Sequence, residues 1–363
     1  MQAYNSEIIL MILGNAMEFS KQVSGPEVWT SEDLRADASW VWCLDTKDLE
    51  EIEFALNSAC KNGKSMPKLR REDFPLPTLG PRLVAAARDL DTGRGCLLIK
   101  GLNIEHYNKV EITDIYWGMG CYLGTPMIQN AAGDVIGNIR NSGRSIGETN
   151  VRGYTTKNRM MPHCDPMDIV SLLCIHPAKS GGRSLIVSAS AIYNEICRMY
   201  PEYLPSLFRG YHYDLRGEGP TGTTNEVTEN RVPVFNRCEG RLSCRFHGQS
   251  IREGMKKAGI PLGGIDADAV DCVEALAIDD RFRFDMDLEQ GDIQILNNYA
   301  VLHARDEFED WPDQDRRRHL LRLWINLDAT MARPLNPIFA ARHNTGPRGA
   351  IQAQSKHSGW VPS

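Results

Sequence analysis

The ten cysteines of this sequence form no CxxC pair, and most lie in apolar runs. No basic stretch precedes the first apolar run, Ile8 to Leu13, and that run is far too short to cross a bilayer. These absences argue against a disulfide framework, a secretion signal and a membrane-spanning first run. They lead us to expect reduced, packed thiols in a cytoplasmic protein. An excess of positive charge is also missing: Lys and Arg total 41 against 47 Asp and Glu, a net charge of -6. That balance lacks the basic footprint of a nucleic-acid binder. No GxGxxG follows a strand and no GxxxxGK[ST] occurs, which argues against nucleotide-binding folds. Internal repeats, low-complexity stretches and linkers are absent as well.

What is present is ordinary globular material, 42% hydrophobic and 24% charged over 363 residues, enough to bury a sizeable core without staples. Residues 1–16 read as a weakly ordered N-terminal extension. Residues 17–363 read as one domain that includes the tail 330–363. Thr46 is placed to cap a helix from Lys47, with Glu50 completing the box and Gly63 stopping it. A second helix is expected from Pro81 to Leu90, ending at Gly93. Strands are expected at Cys96 to Lys100, Ile169 to Ile175, Ser184 to Val187, Phe282 to Met286, Asp292 to Leu296 and His319 to Asn326. Ser188 is placed to cap a helix through Arg198, and Asp266 or Asp268 to open one to Ala277. Many short strands, with helices concentrated early, suggest a β-rich α+β domain rather than a βαβ series.

The chemistry begins at His163-Cys164-Asp165. In an extended segment residues i and i+2 share a face, so an imidazole and a carboxylate face one point while Cys164 faces away. Pro162 and Pro166 bias the neighbouring backbone toward that geometry. His303 follows 140 residues later. Two histidines and one carboxylate leave three positions open on an octahedral metal, the arrangement that suits non-haem Fe(II). Arg318 and Arg322 share a face of the run RHLLRLWIN with Leu320 and Trp324, while His319, Leu321, Leu323 and Ile325 take the other. Arginines on the inward face of a buried strand are costly unless they meet anions; a salt-bridged edge strand is the plainer alternative. Gly181-Gly182-Arg183-Ser184 is either an ordinary turn or a backbone approach with a hydroxyl for a bound carboxylate. Residues 141–160, with Asn150, Arg152 and Tyr154, read equally as a lid or a surface loop, and Met160 with Met161 as an apolar wall.

Taken together and in order, HxD, GGxS, GDIQxLNNxxVLHxR and RxxxR resemble the taurine dioxygenase/clavaminate synthase-like family of Fe(II)- and 2-oxoglutarate-dependent oxygenases, over about residues 24–330. The resemblance implies a distorted double-stranded β-helix, a jelly roll with flanking helices. It implies Fe(II), 2-oxoglutarate as cosubstrate and O2, with His163, Asp165 and His303 as metal ligands and catalytic residues. Ser184 and Arg318 would hold the distal carboxylate of 2-oxoglutarate, Arg322 an acidic group of the prime substrate, and Arg305 a supporting role. The stretch between His303 and Arg318 is longer than in the shortest members, which leaves Arg316 open as the anchor. The implied reaction oxidises a C–H bond of a small carboxylate-bearing metabolite, such as an amino acid or natural-product intermediate, with release of succinate and CO2. Hydroxylation is expected, with desaturation or oxidative cyclisation as other outcomes of the same cofactors. A zinc-dependent hydrolase and a non-catalytic β-barrel binding protein are the competing classes. The partner expected is a small molecule, with no nucleic acid and no membrane; a homo-oligomer is compatible with the reading.

Overall fold

The computed structural model describes residues 21–143, 155–341 and 343–351. The expected extension at 1–16, and with it Asn150, Arg152 and Tyr154, lies outside the described residues. The fold is mixed α and β, with fifteen strands among the described residues. Numbered in chain order, a seven-stranded sheet contains β1 (Val41–Cys43), β2 (Cys96–Lys100), β12 (Ile293–Asn297), β6 (Ile169–His176), β15 (His319–Asn326) and β3 (Thr125–Met127) in that spatial order. β4 (Gly137–Ile139) pairs with β15 off this path. A four-stranded sheet runs β11 (Phe284–Met286), β8 (Ser184–Ser188), β13 (Val301–Arg305) and β5 (Met160–His163). Two antiparallel pairs complete the set: the hairpin β9 (Phe235–Cys238) with β10 (Arg241–Cys244), and β7 (Ser180–Gly181) with the distant β14 (Phe308–Glu309).

Alternation along the strands stacks these sheets. Ile186, Val301, Leu296, Leu320 and Trp324 belong to one buried cluster shared by both sheets, so the two sheets face each other across it. Their neighbours turn the other way. Val187 and Leu302 pack outward with α4 (Ala189–Met199), α5 (Gly248–Lys257) and α6 (Ile265–Ala277). Leu321, Leu323 and Ile325 pack outward under α1 (Thr46–Lys61), α2 (Leu79–Thr92) and α3 (Lys109–Leu123). Helices therefore cover both outer faces rather than gathering early in the chain.

The element boundaries correct several expectations. The cap of α1 is Asp45, not Thr46; its carboxylate accepts from the Asp48 N–H, and Asp48 returns the bond. Asp266 and Asp268 lie in the first turn of α6, which starts after Gly264. Ser188 does cap α4, accepting from the Ala191 N–H at 3.0 Å. Helix α3 was unforeseen: residues 112–120 are buried all round, so no polar stripe marks it as a helix. The ten cysteines are free thiols. Among the described residues no helix is long and apolar enough to cross a membrane. The segment after β15 is tied to the body. Arg333 meets Asp91 at 2.7 Å, Arg348 pairs with Asp168, and Phe339 is buried.

Candidate active site

β5 ends at His163, and β13 lies antiparallel to it with His303 directly opposite His163. Asp165 follows two residues past His163 and is steadied by a hydrogen bond from its own N–H to Asn298 Oδ1 at 3.0 Å. Cys164 points away into the apolar cluster behind β8, as the i, i+2 argument requires. Strand pairing thus gathers three side chains separated by up to 140 residues. One donor atom from each lies within 4.8 Å of the others. His163 Nε2 is 3.9 Å from Asp165 Oδ1, and His303 Nε2 is 3.7 Å from Asp165 Oδ2. His163 Nδ1 lies 2.9 Å from the Met161 carbonyl and donates to it, which leaves Nε2 unprotonated toward the centre of the cluster. A nitrogen, nitrogen, oxygen set of this kind fits a ferrous ion. His247 lies 5.1 Å from His163, its ring tilted 54° to it, but is not one of the converging donors.

The surroundings keep the cluster ready for a cation. Burial disfavours the Asp165 carboxylate, but Arg322, His303, His163 and the Trp324 indole N–H at 2.7 Å outweigh it and hold its pKa at about 2. Burial, then the neighbouring His163, pushes His303 down to about 3; burial also lowers His163. All three are therefore in the metal-binding protonation state at neutral pH. The sign of the linked stability follows. A histidine whose folded pKa lies below its unfolded value loses folding free energy as pH falls from about 6.5 toward about 3, because only the unfolded chain takes up the proton. Asp165 adds a loss as pH falls below its ordinary range toward about 2. Metal-free protein should melt progressively lower between pH 7 and pH 4, and His303→Gln should flatten that slope in a thermal-denaturation series.

A narrow inner cavity opens behind the triad. Ser184, Arg305 and Arg318 line it with His163, Asp165 and His303. Arg305 stands two residues past His303 on the same face of β13, and its strand partner is Ser184. Burial pushes the Arg305 pKa down to about 9, with Arg318 adding repulsion, and burial pushes Arg318 down to about 10. Each guanidinium keeps one buried nitrogen, Nη1, with no hydrogen-bond partner among the described residues. Two adjacent buried cations with unmet donors form a cradle for an anion. The Ser184 hydroxyl currently donates to Gln294 Oε1 at 2.9 Å. Arg316, the other candidate anchor, is exposed and stacks on Trp311 at 3.8 Å, outside the cavity.

Gly182 explains the glycine pair beside this cradle. Its φ is +73°, and a Cβ there would sit 3.0 Å from Arg318 Nε. Gly182→Ala should both strain the turn, by about 1 kcal/mol, and displace the guanidinium. With Arg318 as the 2-oxoglutarate anchor the resemblance implies, affinity for 2-oxoglutarate should fall several-fold by titration, with a lowered melting temperature.

On the other side of the triad lies an outer cavity of about 330 Å³. Arg322 lines both cavities. Its Nε donates to Gln129 Oε1 at 2.8 Å, Nη1 lies 3.5 Å from Asp165 Oδ2, and the guanidinium stacks over Trp324 at 4.2 Å. Met160 and Met161 both border this cavity, Met161 exposed. Residues that sequence reasoning did not select complete its wall: Arg216, Glu218, Arg245 and His343, the last 3.7 Å from Glu218. Arg305 carried a usable signal, its i+2 spacing from His303. His343 carried none, since only the return of the tail across the body brings it here.

Residues 61–324 match the family described as Taurine catabolism dioxygenase TauD, TfdA family. The chain is 32% identical over 312 residues to FR-33289 synthase of Streptomyces rubellomurinus, covering 85% of this chain and 91% of that one. It is 28% identical over 334 residues to taurine hydroxylase-like protein SAT17 of Stachybotrys chartarum, covering 89% and 84%. Among solved structures, an asparagine oxygenase in complex with Fe(II), 2S,3S-3-hydroxyasparagine and succinate superposes with a TM-score of 0.63 at 16% identity, covering 87% of this chain and 100% of that one. The non-haem iron oxygenase OrfP in complex with Fe and alpha-ketoglutaric acid gives 0.56 at 12% identity, covering 80% and 95%.

Proposed function

The chain belongs to the TauD/TfdA family of dioxygenases, and from that membership we propose how its own residues run the reaction. It is a non-haem Fe(II)- and 2-oxoglutarate-dependent dioxygenase. The iron, cosubstrate and O2 together supply oxidative decarboxylation to succinate and CO2 coupled to oxidation of a substrate C–H bond. His163 and His303, through Nε2, and Asp165 hold the metal. Arg318 grips the distal carboxylate of 2-oxoglutarate with a charge-assisted fork, Ser184 turns its hydroxyl toward the same group, and Arg305 adds positive charge beside it. The observation that carries this reading is the pair of unmet, buried Nη1 donors on Arg305 and Arg318, on the inner side of the donor cluster. A zinc hydrolase has no use for that cradle.

The two facing sheets read as a distorted double-stranded β-helix, the jelly roll the resemblance implies, and residues 17–363 as one domain. The prime substrate enters the outer cavity. Arg322 orients an acidic group there while its contact with Asp165 fixes that carboxylate. Hydroxylation of a small carboxylate-bearing metabolite is the favoured outcome. The solved structures, one holding hydroxyasparagine and one holding (3R,4R)-dihydroxy-L-Arg, give precedents for amino-acid-sized products on this fold. The test is succinate release by iron-loaded protein across a library of amino acids and related carboxylates. A substrate should raise release above the uncoupled rate. Arg322→Ala should cut that stimulation about tenfold or more, the loss of a charge-assisted contact, and lower uncoupled release by a smaller factor, through its contact with Asp165. Equal losses in both would assign Arg322 to the metal instead of the substrate.

A further inference from the structure

The outer face of β15 borders a second cavity that this reaction does not use. It measures about 720 Å³, lies against the first turn of α3 and the ends of β4, β6 and β15, and shares only Arg318 with the inner cavity and nothing with the outer one. Its cations are arranged by the sheet. His319 pairs with His176 across β15 and β6. Leu320 pairs with Ile139, so Arg140 comes next in line beside His319. Arg140, His319 and His176 therefore make a row across three neighbouring strands; the two imidazoles are neutral at neutral pH, His319 meeting Asn138 Oδ1 at 2.8 Å, and Lys109 and Arg317 join Arg140 as cations of the same cavity. Among the described residues one carboxylate, Asp315, is the whole acidic lining. Among the described residues the side chains of Lys109, Arg140 and Arg317 make no ion pair. Burial first, and Arg140, His176 and Lys109 after it, push His319 down to about 4, so its imidazole is neutral at neutral pH and the charge of the cavity comes from its lysine and arginines.

We propose that this cavity binds the phosphate group of a small phosphorylated metabolite. Ammonium and guanidinium donors approach from the helix (Lys109) and from the ends of two strands (Arg140 after β4, Arg317 before β15). That spread suits a tetrahedral oxyanion with several acceptor oxygens better than the planar fork of a single carboxylate. The volume exceeds what a lone phosphate fills and falls within the range of small-molecule sites.

The test is calorimetric titration of the full-length metal-free chain at low salt with three probes: inorganic phosphate, adenosine 5′-monophosphate and succinate. Adenosine monophosphate should bind one to one with a Kd of about 1 mM or tighter, and inorganic phosphate more weakly at the same site. The double variant Lys109→Ala/Arg140→Ala should weaken both at least tenfold, while Arg322→Ala leaves them unchanged. Both replaced side chains are exposed, and an unchanged melting curve checks the fold of the double variant. The single variant Arg140→Gln, which keeps a hydrogen-bonding side chain, should give an intermediate loss. Binding that is lost in Arg322→Ala but kept in the double variant would place the anion in the active site and overturn the proposal. So would succinate binding as tightly as the phosphates, or no phosphate binding up to about 10 mM.

Discussion

Asp165→Ala should abolish iron-dependent succinate formation and destabilise the protein in the same stroke. The carboxylate is the one donor that both histidines approach, at 3.9 and 3.7 Å. Loss of a side chain that merely orients a metal ligand costs about 10- to 100-fold in affinity, so loss of the ligand itself should exceed the upper end of that range. The structural cost has a separate origin. Asp165 accepts from the Trp324 indole and balances Arg322, and both partners are buried. Removing one member of a buried charged pair costs about 3 kcal/mol or more. Asp165→Asn separates the two effects. It leaves an oxygen for the Trp324 N–H and recovers part of the stability, but it offers no anion to iron or to Arg322. Iron binding by anaerobic titration and melting by calorimetry check the two halves. Succinate formation within a few-fold of the parent in Asp165→Ala would remove the carboxylate from the metal site.

Arg318→Ala should weaken 2-oxoglutarate by about a hundredfold or more while leaving the metal-free fold as stable as before, or more so. The affinity loss reflects a buried, charge-assisted contact, of the order of 3 kcal/mol. The stability prediction has the opposite sign to most core substitutions. In the protein without cosubstrate, Arg318 is a buried cation beside Arg305, its pKa pushed down to about 10 and its Nη1 unmet. Taking it away removes a desolvated charge that the Phe308 ring, Asp310 and the Gly182 carbonyl only partly compensate. Arg318→Lys keeps the charge but not the fork and should fall between the two in affinity. A structural arginine would behave otherwise, with a drop in melting temperature and a 2-oxoglutarate affinity within about threefold of the parent.

The parts of this architecture that follow short-range periodicity were legible in the chain. Alternation along His319 to Asn326 separates Arg322 and Trp324 from Leu321 and Leu323, and the structure sends the two sets to opposite faces. The i, i+2 spacing of His163 and Asp165 predicts their common face, and strand pairing then supplies His303. Helix α3 was not legible because burial on every side erases the polar stripe on which helix reading depends. The cap of α1 was misplaced by one residue because Asp45 and Thr46 are both competent caps, and only the backbone chooses between them. The wall of the outer cavity was the least legible part. Glu218, Arg245 and His343 come from three segments that meet only after the tail is pinned through Arg333 and Arg348. No local pattern encodes such a meeting.

The central claim is that the 163/165/303 cluster holds Fe(II) with 2-oxoglutarate clasped beside it by Arg318. Anaerobic titration of the full-length protein with Fe(II), then with 2-oxoglutarate, watched for the weak visible charge-transfer absorption of the chelate, reads that claim directly. The account predicts a band that saturates at one iron and one 2-oxoglutarate per chain, vanishes in His303→Ala, and needs far more 2-oxoglutarate in Arg318→Ala. A parent protein that binds iron yet develops no band at any 2-oxoglutarate concentration, or a His303→Ala variant that develops it undiminished, would contradict it.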